Sequence, residues 1–194
     1  MSRLFVVTDR RLVAGNFLTH LEKIISAQPQ ALILREKDLS FSAYFSLVDQ
    51  LAPLCRAAGV QLILNWRAPV MRYPGTYVQL PFAVAKDQPV GTPFAVSVHR
   101  PDEIRALNES STLYFLLGNI FETSCKPGKA AAGLDFLARC VQLTDKAVIA
   151  IGGITPERVP TVLSTGAAGY AVRSPLMTAD DPTSLIQLFH QFEQ

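Results

Sequence analysis

Eight short, almost continuous apolar runs limit what this chain can fold into: LFVVT (4–8), ALILR (31–35), VQLILN (60–65), TYVQLP (76–81), FAVSV (94–98), LYFLLG (113–118), AVIAIGG (147–153) and GYAVRS (169–174). Runs this short, rich in Val, Ile, Leu and Phe and lacking polar alternation, are what strands buried on both faces look like, and such strands belong to parallel sheets. Parallel neighbours need a crossover, and most gaps supply one. Helical spacing is visible in Phe17-Leu18-Leu21-Ile24-Ile25, Tyr44-Leu47-Val48-Leu51-Leu54-Cys55, Leu134-Leu137-Val141, Val159-Val162-Leu163 and Leu185-Leu188-Phe189. Eight strands alternating with helices predict an α/β fold, a single (β/α)8 TIM barrel over 1–194 with some shortened helices. The rival, a flavodoxin-like open sheet, needs fewer strands. Helices are expected to be vestigial after 65 and after 81, where Pro69, Pro74 and Gly75, then Pro81, Pro89, Gly91 and Pro93, interrupt them.

Composition narrows the partners. With 194 residues, 49% hydrophobic and 18% charged, the chain suits one core. The net charge of +2 comes from scattered residues with no Lys/Arg run, so no nucleic acid is expected. Cys55, Cys125 and Cys140 show no CxxC spacing, which suggests neither a disulfide framework nor a thiolate zinc site. No stretch approaches the roughly 18 apolar residues of a membrane span. A cytoplasmic protein without a membrane partner is expected.

The end of the chain carries the most specific motif. In AIGGITPERV a strand closes on Gly152-Gly153 and a helix opens at Thr155-Pro156-Glu157, with Pro156 suited to the first turn. The next run ends at Arg173-Ser174. Free backbone amides at two adjacent strand-to-helix turns can hold a phosphate, and loops after strands 7 and 8 of such barrels often do. Otherwise Gly152-Gly153 only makes a tight turn.

AIGGIT, GAAGYAV, LREKD, SVH and GNIFETSCKPG together resemble the thiamine phosphate synthase/TenI superfamily, from VVTD at 6–9 to AVRSPL at 171–176. The resemblance implies a barrel enzyme that joins a pyrimidine diphosphate to a thiazole phosphate with magnesium. It also implies a second branch, TenI-like, that keeps the thiazole phosphate pocket and aromatises a thiazole carboxylate phosphate. Arg35 and Lys37 match the diphosphate-binding Arg and Lys; residues i and i+2 at an extended strand end project to one side, so both can face the mouth. A rim ion pair with Glu36 or Asp38 is the alternative for them. The pyrimidine-contacting Gln is replaced by Ile33. Asn65 is kept, but the two magnesium-binding Asp positions are Trp66 and Val84, neither of which can offer the hard oxygen Mg²⁺ needs. No cofactor is therefore expected, unless Asp87 compensates through a loop shift. VQLP at 78–81 and FET-x-CK look TenI-like.

The resemblance also assigns Ser97, Thr123 and Lys126 to ligand contacts. Cys125 beside Lys126 is either an activated thiol or a space-filler. Asn119 stands where thiazole tautomerases carry a His thought to move the proton, and an amide cannot do that. His20 and His190 read as outer-surface residues, whereas His99, at the end of the fifth run, is placed where a general base could act. The expected partner is a small phosphorylated ligand, with a homodimer compatible. Three readings stay open: a TenI-like protein of thiamine biosynthesis or salvage binding a thiazole phosphate, its tautomerase activity weakened by Asn119; a thiamine phosphate synthase with displaced metal ligands; and a non-catalytic sensor of the same ligand.

Overall fold

Each strand sends alternate side chains to opposite faces, and here both faces are dry. A computed structural model describes residues 2–67, 73–88, 91, 93–123, 128 and 130–193. Its strands are β1 (Leu4–Val7), β2 (Ala31–Leu34), β3 (Gln61–Asn65), β4 (Tyr77–Pro81), β5 (Phe94–Val98), β6 (Thr112–Gly118), β7 (Ala147–Ile151) and β8 (Gly169–Val172). All pair in parallel with their sequence neighbours, and β8 closes on β1. The (β/α)8 barrel is therefore formed, and the open-sheet rival is excluded.

Phe5, Val7, Ile33, Ile63, Tyr114, Leu116 and Ile149 fill the interior. Their alternates, among them Leu4, Val6, Leu32, Leu34, Val96, Leu117 and Val172, face the helices. The expected runs overshoot several strands by one or two residues, since strand pairing ends at Val7, Leu34 and Val172.

The helices are α1 (Phe17–Ser26), α2 (Phe41–Ala58), α3 (Phe82–Ala85), α4 (Pro101–Arg105), α5 (Leu134–Val141), α6 (Val159–Leu163), α7 (Ser174–Met177) and α8 (Pro182–Gln191). The longest, α2, starts at Ser40, whose hydroxyl accepts from the Ala43 amide, and stops at Gly59 with φ of 72°. As expected, helix is scarce after β3 and β4: no helix lies between them among the described residues, and α3 is a single turn. Pro69 and Pro89 lie outside the described residues.

One expectation is corrected. His20, read as an outer-surface residue, is buried, with Nε2 2.8 Å from the Leu176 carbonyl oxygen. It sits on the inner side of α1, beside Leu21 and Ile24, where α7 and α8 pack; helical spacing alone did not show that a second layer covers that side. His190 is partly buried and bonds Ser2 Oγ at 2.9 Å. Cys55 and Cys140 are buried free thiols, and burial pushes Cys55 up to about 12. No helix among the described residues is long and apolar enough to cross a membrane.

Candidate ligand site at the barrel mouth

The C-terminal ends of β8, β1 and β2 are neighbours and bring cations together. Arg35 follows β2 and Arg173 follows β8, two residues after the interior Ile33 and Ala171. Burial lowers the Arg35 pKa from its ordinary value and the charge of Arg173 lowers it further; burial, then Arg35, does the same to Lys37. Among the described residues none of the three forms a salt bridge. The ion pair considered for them with Glu36 or Asp38 is absent, because those carboxylates are committed elsewhere. Glu36, almost fully buried, accepts from Thr8 Oγ1 at 2.6 Å and from the Arg10 amide at 3.2 and 3.1 Å. Asp38 takes Arg10 Nη1 at 2.8 Å, and Asp9 takes both arms of Arg11 at 2.9 and 3.1 Å. The Arg11 hydrogen bond holds the Asp9 carboxyl below its usual range, with Arg173 adding to the effect. Thr8 in turn accepts the Arg35 amide at 2.9 Å, and Arg67 ties down the loop by donating to the Glu36 carbonyl at 2.7 Å and to that of Leu39. Like charges left unpaired on a rigid rim favour an anion.

The last residues of β3 and β4, with Trp66, carry no carboxylate. Asn65 Nδ2 donates to the Trp66 carbonyl at 3.2 Å, and the Trp66 amide donates to Gln79. Gln79 is spent on Ser97 and Tyr114, and Trp66 and Val84 pack against the outer core. Asp87 is exposed just beyond α3, its amide bonded to Val84. A magnesium ion of the kind the resemblance implies would need carboxylate oxygens here, and the residues at these two positions do not fit it. Among the described residues no group of three His, Cys, Asp or Glu side chains is arranged to hold a metal ion.

At the far side, His99 places Nδ1 2.6 Å from the Gly118 carbonyl. A carbonyl only accepts, so Nδ1 carries a proton, and in the neutral tautomer this leaves Nε2 as the nitrogen with the lone pair. Asn119 is next to that carbonyl but folded inward, Nδ2 donating to the Phe121 carbonyl at 3.3 Å while Oδ1 is buried without a partner among the described residues. Gly152 and Gly153 have φ of 107° and 65°. They lie so close to the β6 end that a Cβ on Gly153 would stand 2.3 Å from the Glu122 carbonyl. The tight-turn reading is thus true of them. It does not compete with anion binding, since the Gly153 and Ile154 amides have no hydrogen-bond partner among the described residues. Arg158 clamps the turn, donating to the Gly153 carbonyl at 2.6 Å and lying 4.5 Å from the centre of the Phe121 ring. Arg173 and Ser174 follow β8 beside it, and Thr123 stands on the loop after β6. Cys125 and Lys126 lie outside the described residues.

Sequence reasoning did not reach Thr8, Glu36, Arg67, Gln79 or Tyr114 as parts of this site. Gln79 and Tyr114 did leave a signal: each is a polar group at an inward position of an otherwise apolar run.

Known proteins resemble this chain over most of its length. The profile of the thiamine monophosphate synthase family matches residues 4–176. A thiamine-phosphate synthase of Chloroflexus aurantiacus is 34% identical over 190 residues, 94% of this chain and 88% of its own, and that of Acidothermus cellulolyticus is 30% identical over 191 residues, 93% and 90%. Among solved structures, thiamine phosphate pyrophosphorylase from Pyrococcus furiosus superposes with a TM-score of 0.85 at 25% identity, covering 98% of this chain and 95% of its own. With a matching profile over nearly the whole barrel, the chain belongs to the thiamine monophosphate synthase family.

Proposed function

We propose that this protein binds a thiazole phosphate, or a closely similar phosphate ester, at the mouth of its barrel as a TenI-like member of thiamine biosynthesis or salvage, without magnesium-dependent coupling. One observation carries the reading: among the described residues, Arg35, Lys37 and Arg173 are left without salt bridges while Asp9, Glu36 and Asp38 beside them are committed to other groups. Phosphate is proposed to lie against the Gly153 turn and the start of α7, with Arg173 beside it. The heterocycle then extends toward Asn65, Ser97 and Thr123. Trp66 and Val84 supply no metal ligand, and Ile33, buried in the barrel, offers a pyrimidine no hydrogen bond. Titration calorimetry with the thiazole phosphate tests this reading. Saturable one-to-one binding is expected, and no binding would remove it.

The family relatives named thiamine-phosphate synthase favour a second reading, in which the chain couples pyrimidine to thiazole with displaced metal ligands. Asp87 is the acid available near β4, and thiamine phosphate formed only with magnesium would establish this reading. A tautomerase assay followed by ultraviolet absorbance separates a slow isomerase, with His99 as the base, from a silent binder.

A further inference from the structure

Three polar side chains form a chain across the barrel interior. Tyr114 of β6 lies with its hydroxyl 2.7 Å from Gln79 Oε1 of β4, and Gln79 Nε2 lies 3.1 Å from Ser97 Oγ of β5. Gln79 is 2% and Tyr114 7% exposed, whereas Ser97, one residue before the end of β5, is only partly buried. The chain therefore runs from a dry interior to the mouth.

Its direction follows from the donor and acceptor inventory. An amide oxygen only accepts, so Tyr114 donates to Gln79, and the amide nitrogen then donates to Ser97. Turning the amide over would leave the phenol proton without an acceptor, because Tyr114 has no second partner among the described residues and packs edge-on against Phe5 at 5.3 Å. Burial raises the Tyr114 pKa far above the ordinary phenol value, which keeps that proton in place. Ser97 thus accepts from below, and its own proton has no partner among the described residues.

We infer that Tyr114 and Gln79 are positioning residues that fix Ser97 as a hydrogen-bond donor to the ligand. The mouth then selects a molecule presenting an acceptor there, such as a ring nitrogen or a carboxylate or phosphate oxygen, over one presenting an amino group. The ligand half of this inference rests on the proposed phosphorylated heterocycle; the polarity half does not.

Two measurements test it. In the nitrogen-15-labelled protein, the Gln79 side-chain NH₂, identified by its loss in Gln79→Glu, is expected to exchange slowly with solvent, and Ser97→Ala should abolish that protection. Unchanged exchange in Ser97→Ala overturns the polarity. The second is a double-mutant cycle on thiazole phosphate affinity at alkaline pH. Gln79→Glu places an ionised acceptor beside Ser97, pulls its proton inward and turns its lone pairs toward the ligand. A loss of at least about tenfold is expected, shrinking to under about twofold in the Ser97→Ala background. An equal loss in both backgrounds overturns the inference, since it would then act through charge or packing alone. If the wild type binds no thiazole phosphate while the amide is protected as described, the ligand assignment falls and the polarity of Ser97 stands.

Discussion

The two sides of the barrel mouth differ in kind. Around β8, β1 and β2, Arg35, Lys37 and Arg173 stand without salt bridges among the described residues while Thr8, Arg10, Arg11 and Arg67 absorb the local carboxylates and carbonyls. Around β3 and β4 the strand ends carry Asn65, Trp66, Gln79 and Pro81, neutral groups bonded to one another or packed away. An anion site requires that cations be kept from neutralising each other's partners, and a metal site requires that carboxylates be left over. One side meets the first condition, and the other fails the second. On the reading proposed above, a family barrel keeps recognition of a phosphorylated ligand on one set of strands while the residues for metal-assisted transfer change on another.

The largest effect should come from asking the neutral side to couple. Stabilisation by a bound metal is worth several kcal/mol, so magnesium-dependent thiamine phosphate formation is expected to be at least about 10³-fold slower than by the Chloroflexus aurantiacus relative assayed alongside. Comparable rates would erase the contrast between the two sides. Next is proton transfer. Wild-type protein should aromatise the thiazole carboxylate phosphate poorly, and Asn119→His should raise the rate by about 10²-fold at similar ligand affinity. Rapid wild-type turnover unaffected by His99→Ala would show that the proton carrier lies elsewhere.

On the cationic side, Arg35→Met should weaken thiazole phosphate binding by about 10- to 100-fold, the worth of a charge-assisted hydrogen bond. The same change removes a half-buried charge that Arg173 repels, so the melting temperature should stay level or rise. A large fall would mean that Arg35 is structural. The smallest effect concerns Glu36, whose carboxyl burial holds above its ordinary 4.5. The folded chain then binds that proton more readily than the unfolded one, so the contribution of Glu36 is most favourable below pH 4.5 and declines as pH rises through the folded value. Glu36→Gln abolishes this titration, so its melting temperature relative to wild type should rise as the pH climbs through that window. Melting curves from pH 4 to 7 that stay parallel would contradict it.

The barrel itself was legible because strands buried on both faces must be largely apolar, and the runs from LFVVT to GYAVRS show that in the sequence alone. The Gly152-Gly153 turn, the cations Arg35 and Arg173 and the missing carboxylates at Trp66 and Val84 were legible for a related reason: strand ends in a parallel barrel all face one mouth. What stayed hidden depends on contacts between strands distant in sequence. Glu36 could be read as a partner for Lys37 until the fold brought Thr8 and Arg10, from 28 and 26 residues away, onto its oxygens. His20 could be read as solvent-facing until α7 covered it. Local periodicity encodes which face of an element is dry, so the sequence by itself determined the strands, the closure and the kind of residue at the mouth. Hydrogen-bond partners across the mouth are set by barrel register, which no local pattern contains, so only the tertiary structure decided which charges are spent and which remain for a ligand.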